Sequence, residues 1–128
     1  MNHKYLQDAL PFLKEVDKEK QRQFESYFRN APLWIMDLLQ SEELEPGTIF
    51  IRENEPADTI FFIGRGRAKA TDYRISGIAF DFKKSRELIA LGGMEVIMQL
   101  ENYQTTWETE TACTVAKLPR AQYEKWIY

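Results

Sequence analysis

Apolar positions recur at helical spacing over roughly the first forty residues. Tyr5, Leu6, Ala9, Leu10, Leu13 and Val16 share one face, and Pro11 divides this stretch into two short pieces. Asp17 is placed to cap a second helix, whose Phe24, Tyr27 and Phe28 form a single apolar face. Asn30 and Pro32 then punctuate the chain. Pro32 suits the first turn of a third helix over Leu33 to Leu39, where its missing N–H is not needed.

The pattern changes at Leu44-Glu45-Pro46-Gly47, a turn in which Gly47 can take positive φ. Short runs of β-type residues follow, separated by turn residues. Strands are expected at Thr48 to Ile51, Thr59 to Ile63, Arg67 to Tyr73 and Ile78 to Phe82, the last two forming a hairpin around Ser76-Gly77. Leu88 to Leu91 reads as a further strand ended by Gly92-Gly93, and Met94 to Leu100 as a short helix. Thr105 to Glu110 and Cys113 to Leu118 complete the strands, and Pro119 starts a terminal helix that ends in Trp126-Ile127-Tyr128. Many short strands at regular spacing, with glycine turns, indicate a sandwich or barrel.

Two stretches resemble a known family. Pro46-Gly47-Thr48-Ile49-Phe50-Ile51-Arg52-Glu53-Asn54-Glu55-Pro56-Ala57-Asp58-Thr59-Ile60-Phe61-Phe62-Ile63-Gly64-Arg65-Gly66 is similar to the opening of cyclic-nucleotide-binding domains: strand, acidic turn, Pro-Ala-Asp, aromatic strand, glycine turn. Thr111-Ala112-Cys113-Thr114-Val115-Ala116-Lys117-Leu118-Pro119-Arg120-Ala121-Gln122-Tyr123 resembles the closing strand and helix start of the same domain. The likeness is greatest to the sensor halves of the catabolite-activator and fumarate-nitrate-regulator (Crp/Fnr) transcription factors, and it covers about residues 44–127. It implies a mainly β fold, a double-stranded β-helix or jelly-roll-like barrel with N-terminal helices and a short C-terminal helix. The expected organisation is an N-terminal helical segment, 1–43, packed on a β-roll, 44–128, within one domain.

The resemblance also implies where a ligand sits. In that family a Gly-Glu pair opens a short helix and an Arg-Ser/Thr-Ala run follows. Helix amides and the arginine hold a cyclic phosphate, while the glutamate accepts from the ribose 2′-hydroxyl. The matching stretch here places Gly93, Met94, Glu95 and Val96 at the helix start, and Gln104, Thr105 and Thr106 at its far end. Glu95 matches the ribose glutamate, Met94 stands where the adjacent glycine belongs, and Gln104 (or Tyr103, if the helix is shorter) stands in place of the arginine. The cassette is therefore degenerate. A neutral hydrogen bond from Gln104 holds phosphate less well than a bidentate arginine.

Charge sharpens this picture. From Glu87 to Ala116 there is no Lys or Arg, while Glu87, Glu95, Glu101, Glu108 and Glu110 are acidic. Such a stretch repels an anion unless Arg65, Arg67 or Lys69 reaches in from a neighbouring strand. The net charge of −3 gives no electrostatic reason for nucleic-acid contact by this chain itself. His3 is the chain's single histidine and Cys113 its single cysteine, so histidine-based triads, Cys/His metal sites and internal disulfides lack material. Cys113 reads as a small buried hydrophobe, and Glu53 and Glu55 as solvated acids of a turn. An enzyme is not expected, and neither is a resident metal or cofactor.

No apolar run approaches the roughly 18 residues that a membrane span needs, and Met1 to Tyr5 lacks the apolar core of a signal peptide. The expected location is the cytoplasm. The expected function is a ligand-sensing regulatory domain like the effector-binding half of Crp/Fnr-type regulators, with a non-standard or weak cyclic-nucleotide site. Its effector is a cyclic nucleotide or another small molecule. The alternative is a sensor-fold interaction module with no small-molecule ligand, acting through a homodimer or a partner protein. The dimerisation helix and helix-turn-helix of the family's transcription factors do not follow Tyr128, so a fragment of a longer regulator and a free-standing module are both open.

Overall fold

The computed structural model describes residues 2–71, 78–80 and 87–128. Helix α1 (Asn2–Ala9) gives way to a 3-10 turn (Pro11–Lys14) that Pro11 opens, so the proline divides the stretch as its ring geometry requires. Helix α2 (Lys18–Tyr27) begins at Asp17, whose Oδ1 accepts from the Lys20 N–H at 2.7 Å. Helix α3 (Leu33–Met36) follows Pro32 and is a single turn, shorter than the pattern of Leu33 to Leu39 predicts.

The chain then enters a strand that its own residues do not announce. Strand β1 (Gln40–Leu44) is Gln-Ser-Glu-Glu-Leu, polar over its first four residues and exposed along them. Pairing imposes its conformation: Gln40 lies opposite Lys117 and Leu44 opposite Cys113, antiparallel, at the edge of a sheet. Charged residues on a short edge strand also block further pairing.

The remaining strands are β2 (Ile49–Ile51), β3 (Thr59–Arg65), β4 (Ala68–Thr71), β5 (Ile78–Phe80), β6 (Thr106–Thr109) and β7 (Cys113–Pro119). One sheet runs β1-β7-β3 and the other β2-β6-β4-β5, and every pairing is antiparallel. The fold is the expected mainly β, jelly-roll-like one. The proposed turn at Ser76-Gly77, and the strand ends at Tyr73 and Phe82, lie outside the described residues. Leu88 to Leu91 corrects the expectation of a strand. It makes one isolated bridge, in which Leu91 and Phe61 exchange both backbone hydrogen bonds at 2.8 and 2.9 Å.

Strands β3 and β7 are buried on both faces, and their alternating side chains divide the interior in two. Ile60, Phe62, Ala116 and Leu118 face a core shared with the helices, which includes Leu10, Phe24, Phe28, Ile35 and Tyr123. Phe61, Ile63, Cys113 and Val115 face a second core between the sheets, with Leu44, Ile51, Ala68, Leu91 and Tyr103. The period of two along each strand makes this division automatic.

Aromatic contacts join the helical side to the sheet. The Phe28 and Phe62 rings meet edge to face at 5.2 Å, and Phe28 stacks on Trp126 of the terminal helix α5 (Arg120–Ile127) at 5.5 Å. The Tyr27 and Tyr123 hydroxyls share a hydrogen bond of 2.6 Å, and burial raises the Tyr27 phenol far above its ordinary ionisation. Gly64 is needed by this packing, because a Cβ there would strike the Phe12 ring.

Two outcomes test this arrangement. Replacing Phe62, fully buried in the core that β3 shares with the helices, with Ala should cost about 3–5 kcal/mol in denaturant unfolding. Cys113 is buried, with its Sγ 3.3 Å from the Arg67 carbonyl, and burial is the main cause that raises its thiol above the ordinary 9.0. It should stay protonated at pH 8 and react with an aromatic disulfide reagent far more slowly in the native protein than in denaturant; equal rates would contradict the packing.

Candidate functional site

The segment between the two halves of the roll is built around a helix too short to be stable alone. Helix α4 (Gly93–Ile97) has five residues, and no side chain caps its start. Gly92 precedes it with φ +100°, a left-handed entry that suits glycine. At its exit Gln99 takes φ +58°. The Leu100 N–H reaches back to the Glu95 carbonyl at 2.8 Å, and the Gln99 N–H to the Val96 carbonyl at 3.1 Å. This pair of bonds is a Schellman ending, and it stops the helix three residues before the predicted Leu100. The structural reason is local: once residue 99 is left-handed, the remaining carbonyls are satisfied by the turn and not by another helical residue.

The helix presents two unlike faces. Val96 is buried in the helix-side core and Glu95 is only 8% exposed, whereas Met94, Ile97 and Met98 are 62%, 65% and 59% exposed. The Glu95 carboxylate oxygen Oε2 accepts the Gln104 N–H at 3.0 Å, so the two ends of the cassette meet through side chain and backbone. One backbone donor leaves much of the carboxylate's acceptor capacity unused. The Gln104 side chain turns away, exposed, and its Nε2 donates to the Asn102 carbonyl at 2.9 Å.

The neighbouring positions have structural duties. Thr106 accepts the Glu53 N–H on its Oγ1 at 3.0 Å, which ties β6 to the turn after β2. Thr105 is half-buried just before β6, and Gly93 is buried beside Ala90 and Tyr123. Tyr103 is buried, and its hydroxyl donates to the Thr59 carbonyl at 2.6 Å and accepts the Thr59 N–H at 3.2 Å. Burial is the main cause that raises its phenol above the ordinary value of 10.0, and the nearby Glu95 charge adds to it. Of the seven expected positions, Glu95 and Gln104 are brought together, Thr105 lies just before the adjoining strand and Thr106 begins it, Gly93 and Val96 are packed inside, and Met94 faces solvent.

Among the described residues, the cation that reaches this segment is none of the three anticipated ones. Arg65 lies 3.9 Å from Glu15 and 3.9 Å from Glu43, and its Nε donates to the Thr114 hydroxyl at 3.3 Å. Arg67 lies 3.9 Å from Glu110, and Lys69 stands opposite Glu108 across the β4–β6 pair. Arg120 comes instead, from the start of α5. Its Nη1 donates to the Leu100 carbonyl at 2.6 Å and the Ala57 carbonyl at 3.2 Å, its Nη2 to the Glu95 carbonyl at 3.4 Å, and its Nε to Glu124 at 3.1 Å. The charge count over Glu87 to Ala116 could not find it, because it lies four residues beyond that window. No feature of Pro119-Arg120 in the sequence marks a side chain that bonds three carbonyls.

The profile of the cyclic nucleotide-binding domain matches residues 41–127. The chain belongs to that family. Solved structures of family members share its fold. The sensor domain of the transcriptional regulator DNR from Pseudomonas aeruginosa superposes with a TM-score of 0.63 at 13% identity, covering 98% of this chain and 74% of that one. The regulatory subunit of a cAMP-independent protein kinase A from Trypanosoma brucei gives 0.62 at 21% identity, covering 98% of this chain and 40% of that one. A triple variant of that subunit, in which one change is threonine to arginine, is described as bound to cAMP in its A site; it gives 0.60 at 21%, covering 99% and 42%. This chain thus spans less than half the length of those regulatory subunits. No curated protein matches the sequence at a significant level. Among the described residues, no helix is long and apolar enough to cross a membrane.

The left-handed Gln99 gives a direct test of the helix ending. A non-glycine residue there costs on the order of 1 kcal/mol or more, and glycine removes the strain at the expense of a more flexible unfolded chain. Gln99→Gly should therefore raise unfolding stability by up to about 1 kcal/mol, whereas Gln99→Val should lower it. A loss of stability with glycine would contradict the assigned turn.

Proposed function

We propose that this chain is a ligand-sensing regulatory domain of the Crp/Fnr type, with Glu95 as its principal ligand contact and a cassette that holds phosphate weakly. The observation that carries this reading is the pairing of a nearly buried Glu95, oriented by the Gln104 N–H at 3.0 Å, with a neutral Gln104 whose side chain is turned back on its own loop. A positioned carboxylate is an acceptor for a hydroxyl. An anion meets no arginine at residue 104, and the Arg120 guanidinium is already bonded to three carbonyls and Glu124. The effector is accordingly a hydroxyl-bearing small molecule or a weakly bound cyclic nucleotide. The likeness to a cAMP-independent regulatory subunit, whose triple variant with a gained arginine is bound to cAMP, supports a fold of this kind that binds the cyclic nucleotide only weakly without such changes.

In this reading Gly93 shapes the helix entry, Met94 borders the site from solvent, Val96 anchors α4 in the core, and Thr105 and Thr106 line its far end. The role is binding and not catalysis, as the single histidine and the buried Cys113 thiol favour. The helical segment and the roll act as one unit, because Phe28, Phe62 and Trp126 pack together across them. A cytoplasmic location fits the lone cysteine, and the likeness to a transcriptional sensor favours a role in transcription control. One observation favours a second reading, an interaction module: Met94, Ile97 and Met98 present an apolar face to solvent.

A thermal-shift titration with cyclic AMP and cyclic GMP separates the two, since stabilisation follows ligand concentration over Kd. The natural protein should respond only at high concentration. Gln104→Arg should tighten binding by roughly tenfold or more, the gain expected of a charge-assisted contact over a neutral one. Glu95→Gln in that background should remove most of the gain. If neither nucleotide nor other hydroxyl-bearing metabolites shift the natural protein or Gln104→Arg, the ligand reading fails and the interaction reading takes its place.

A further inference from the structure

We propose that Arg120 is the positioning residue of this site: it sets where Glu95 stands by clamping the end of α4 to the sheet. The proposal deepens the reading of Glu95 as the ligand contact and rests on that reading for its functional meaning. Its structural content stands on geometry alone.

A five-residue helix does not fix its own place. Isolated helices need far more residues, on the order of 12–15, before they are even marginal in water. With no side-chain cap at its start, α4 must be held by tertiary ties. Val96 in the core is one. The Tyr128 hydroxyl, which donates to the Val96 carbonyl at 3.4 Å, is a second. The tie with the most bonds is Arg120, whose side chain is only 15% exposed. Its guanidinium bonds the Glu95 carbonyl, which also receives the Leu100 N–H, together with the carbonyl of Leu100 itself. The Glu95 carbonyl belongs to the last turn of the helix, where a cation is favoured, and the Leu100 carbonyl to the chain just beyond it. The third acceptor, the Ala57 carbonyl, belongs to the segment leading into β3. One planar group thus joins the helix ending to the sheet.

Arg120 is itself rigidly placed. Pro119 lies opposite Thr59 in the β3–β7 register, and the Arg120 N–H donates to the Asp58 carbonyl at 2.8 Å. Position passes from the ladder to the guanidinium, from there to the backbone of Glu95, and from the Glu95 carboxylate to the Gln104 N–H. That last bond reports on the whole series without any ligand.

Amide hydrogen exchange in the ligand-free protein reads it directly. Arg120→Gln should accelerate exchange at Gln104 and Leu100 by about tenfold or more, with less than about a twofold change at Phe62 and Val115. Arg120→Lys, which keeps the charge but not the fork, should fall between, and Glu124→Gln should leave Gln104 protected. If Arg120→Gln folds poorly, Arg120→Lys supplies the same ratio of site to core exchange. Unchanged protection at Gln104, or equal acceleration of Gln104 and the core amides, overturns the proposal. A second arm uses Gln104→Arg protein and cyclic AMP, where Arg120→Lys should weaken binding by several-fold and Glu124→Gln should not. Absence of cyclic AMP binding to Gln104→Arg itself would count against Glu95 as a ligand contact, and the exchange result would still decide the role of Arg120.

Discussion

The pairing of β3 with β7 is the constraint on which the rest of the molecule depends. Each strand is buried on both faces, so a shift of one residue would move Phe62 into the inter-sheet core and Phe61 among the helices. The register is pinned at every step from Thr59–Pro119 to Ile63–Val115, with an irregularity only where Arg65 meets Thr114. Both cores use this wall. The helices pack on one side of it through Phe28 and Phe62, and β1 borrows its conformation from β7. Because β7 runs straight into α5, the same register that closes the cores also delivers Arg120 to the end of α4.

Much of this was legible in the amino-acid pattern wherever a residue's own chemistry decides its conformation. Asp17 caps α2, Pro11 starts a new turn, Gly47 takes positive φ, and the apolar runs of β3 and β7 become buried strands. Each is a local rule that tertiary context had no reason to overturn. The misreadings lie where context decides. Gln40 to Glu43 has neither β propensity nor apolar alternation, and only the presence of β7 beside it makes a strand. Leu88 to Leu91 has the composition of a strand, but its single bridge to Phe61 ends before Gly92 turns the chain into α4.

The site was legible in the same uneven way. Glu95 and Gln104 were identified from the resemblance to the family's cassette, and they do meet, because a helix and its return loop bring residues nine apart into contact. Met94, Ile97 and Met98 are apolar, yet a helix of only five residues docked through Val96 leaves them outside. Arg120 was not legible as a site residue at all. Its acceptors are the carbonyls of Ala57, Glu95 and Leu100, and backbone acceptors leave no trace in side-chain identity.

Among the described residues, the electrostatics of the segment follow from how Arg120 is used. A guanidinium carries five donors, and here four of its bonds go to protein oxygens. Its charge offsets the partial charge of the carbonyls at the end of α4 and the carboxylate of Glu124, so little of it is left to attract a phosphate. An arginine at residue 104 would be a different matter, since its side chain would start beside Glu95 on the open edge of the cassette. Among the described residues, the local balance at the cassette is therefore set by Glu95, with the neutral Gln104 facing solvent. On the proposed reading, a site with this balance discriminates by hydroxyl geometry before negative charge, the reverse of a phosphate cradle built around arginine.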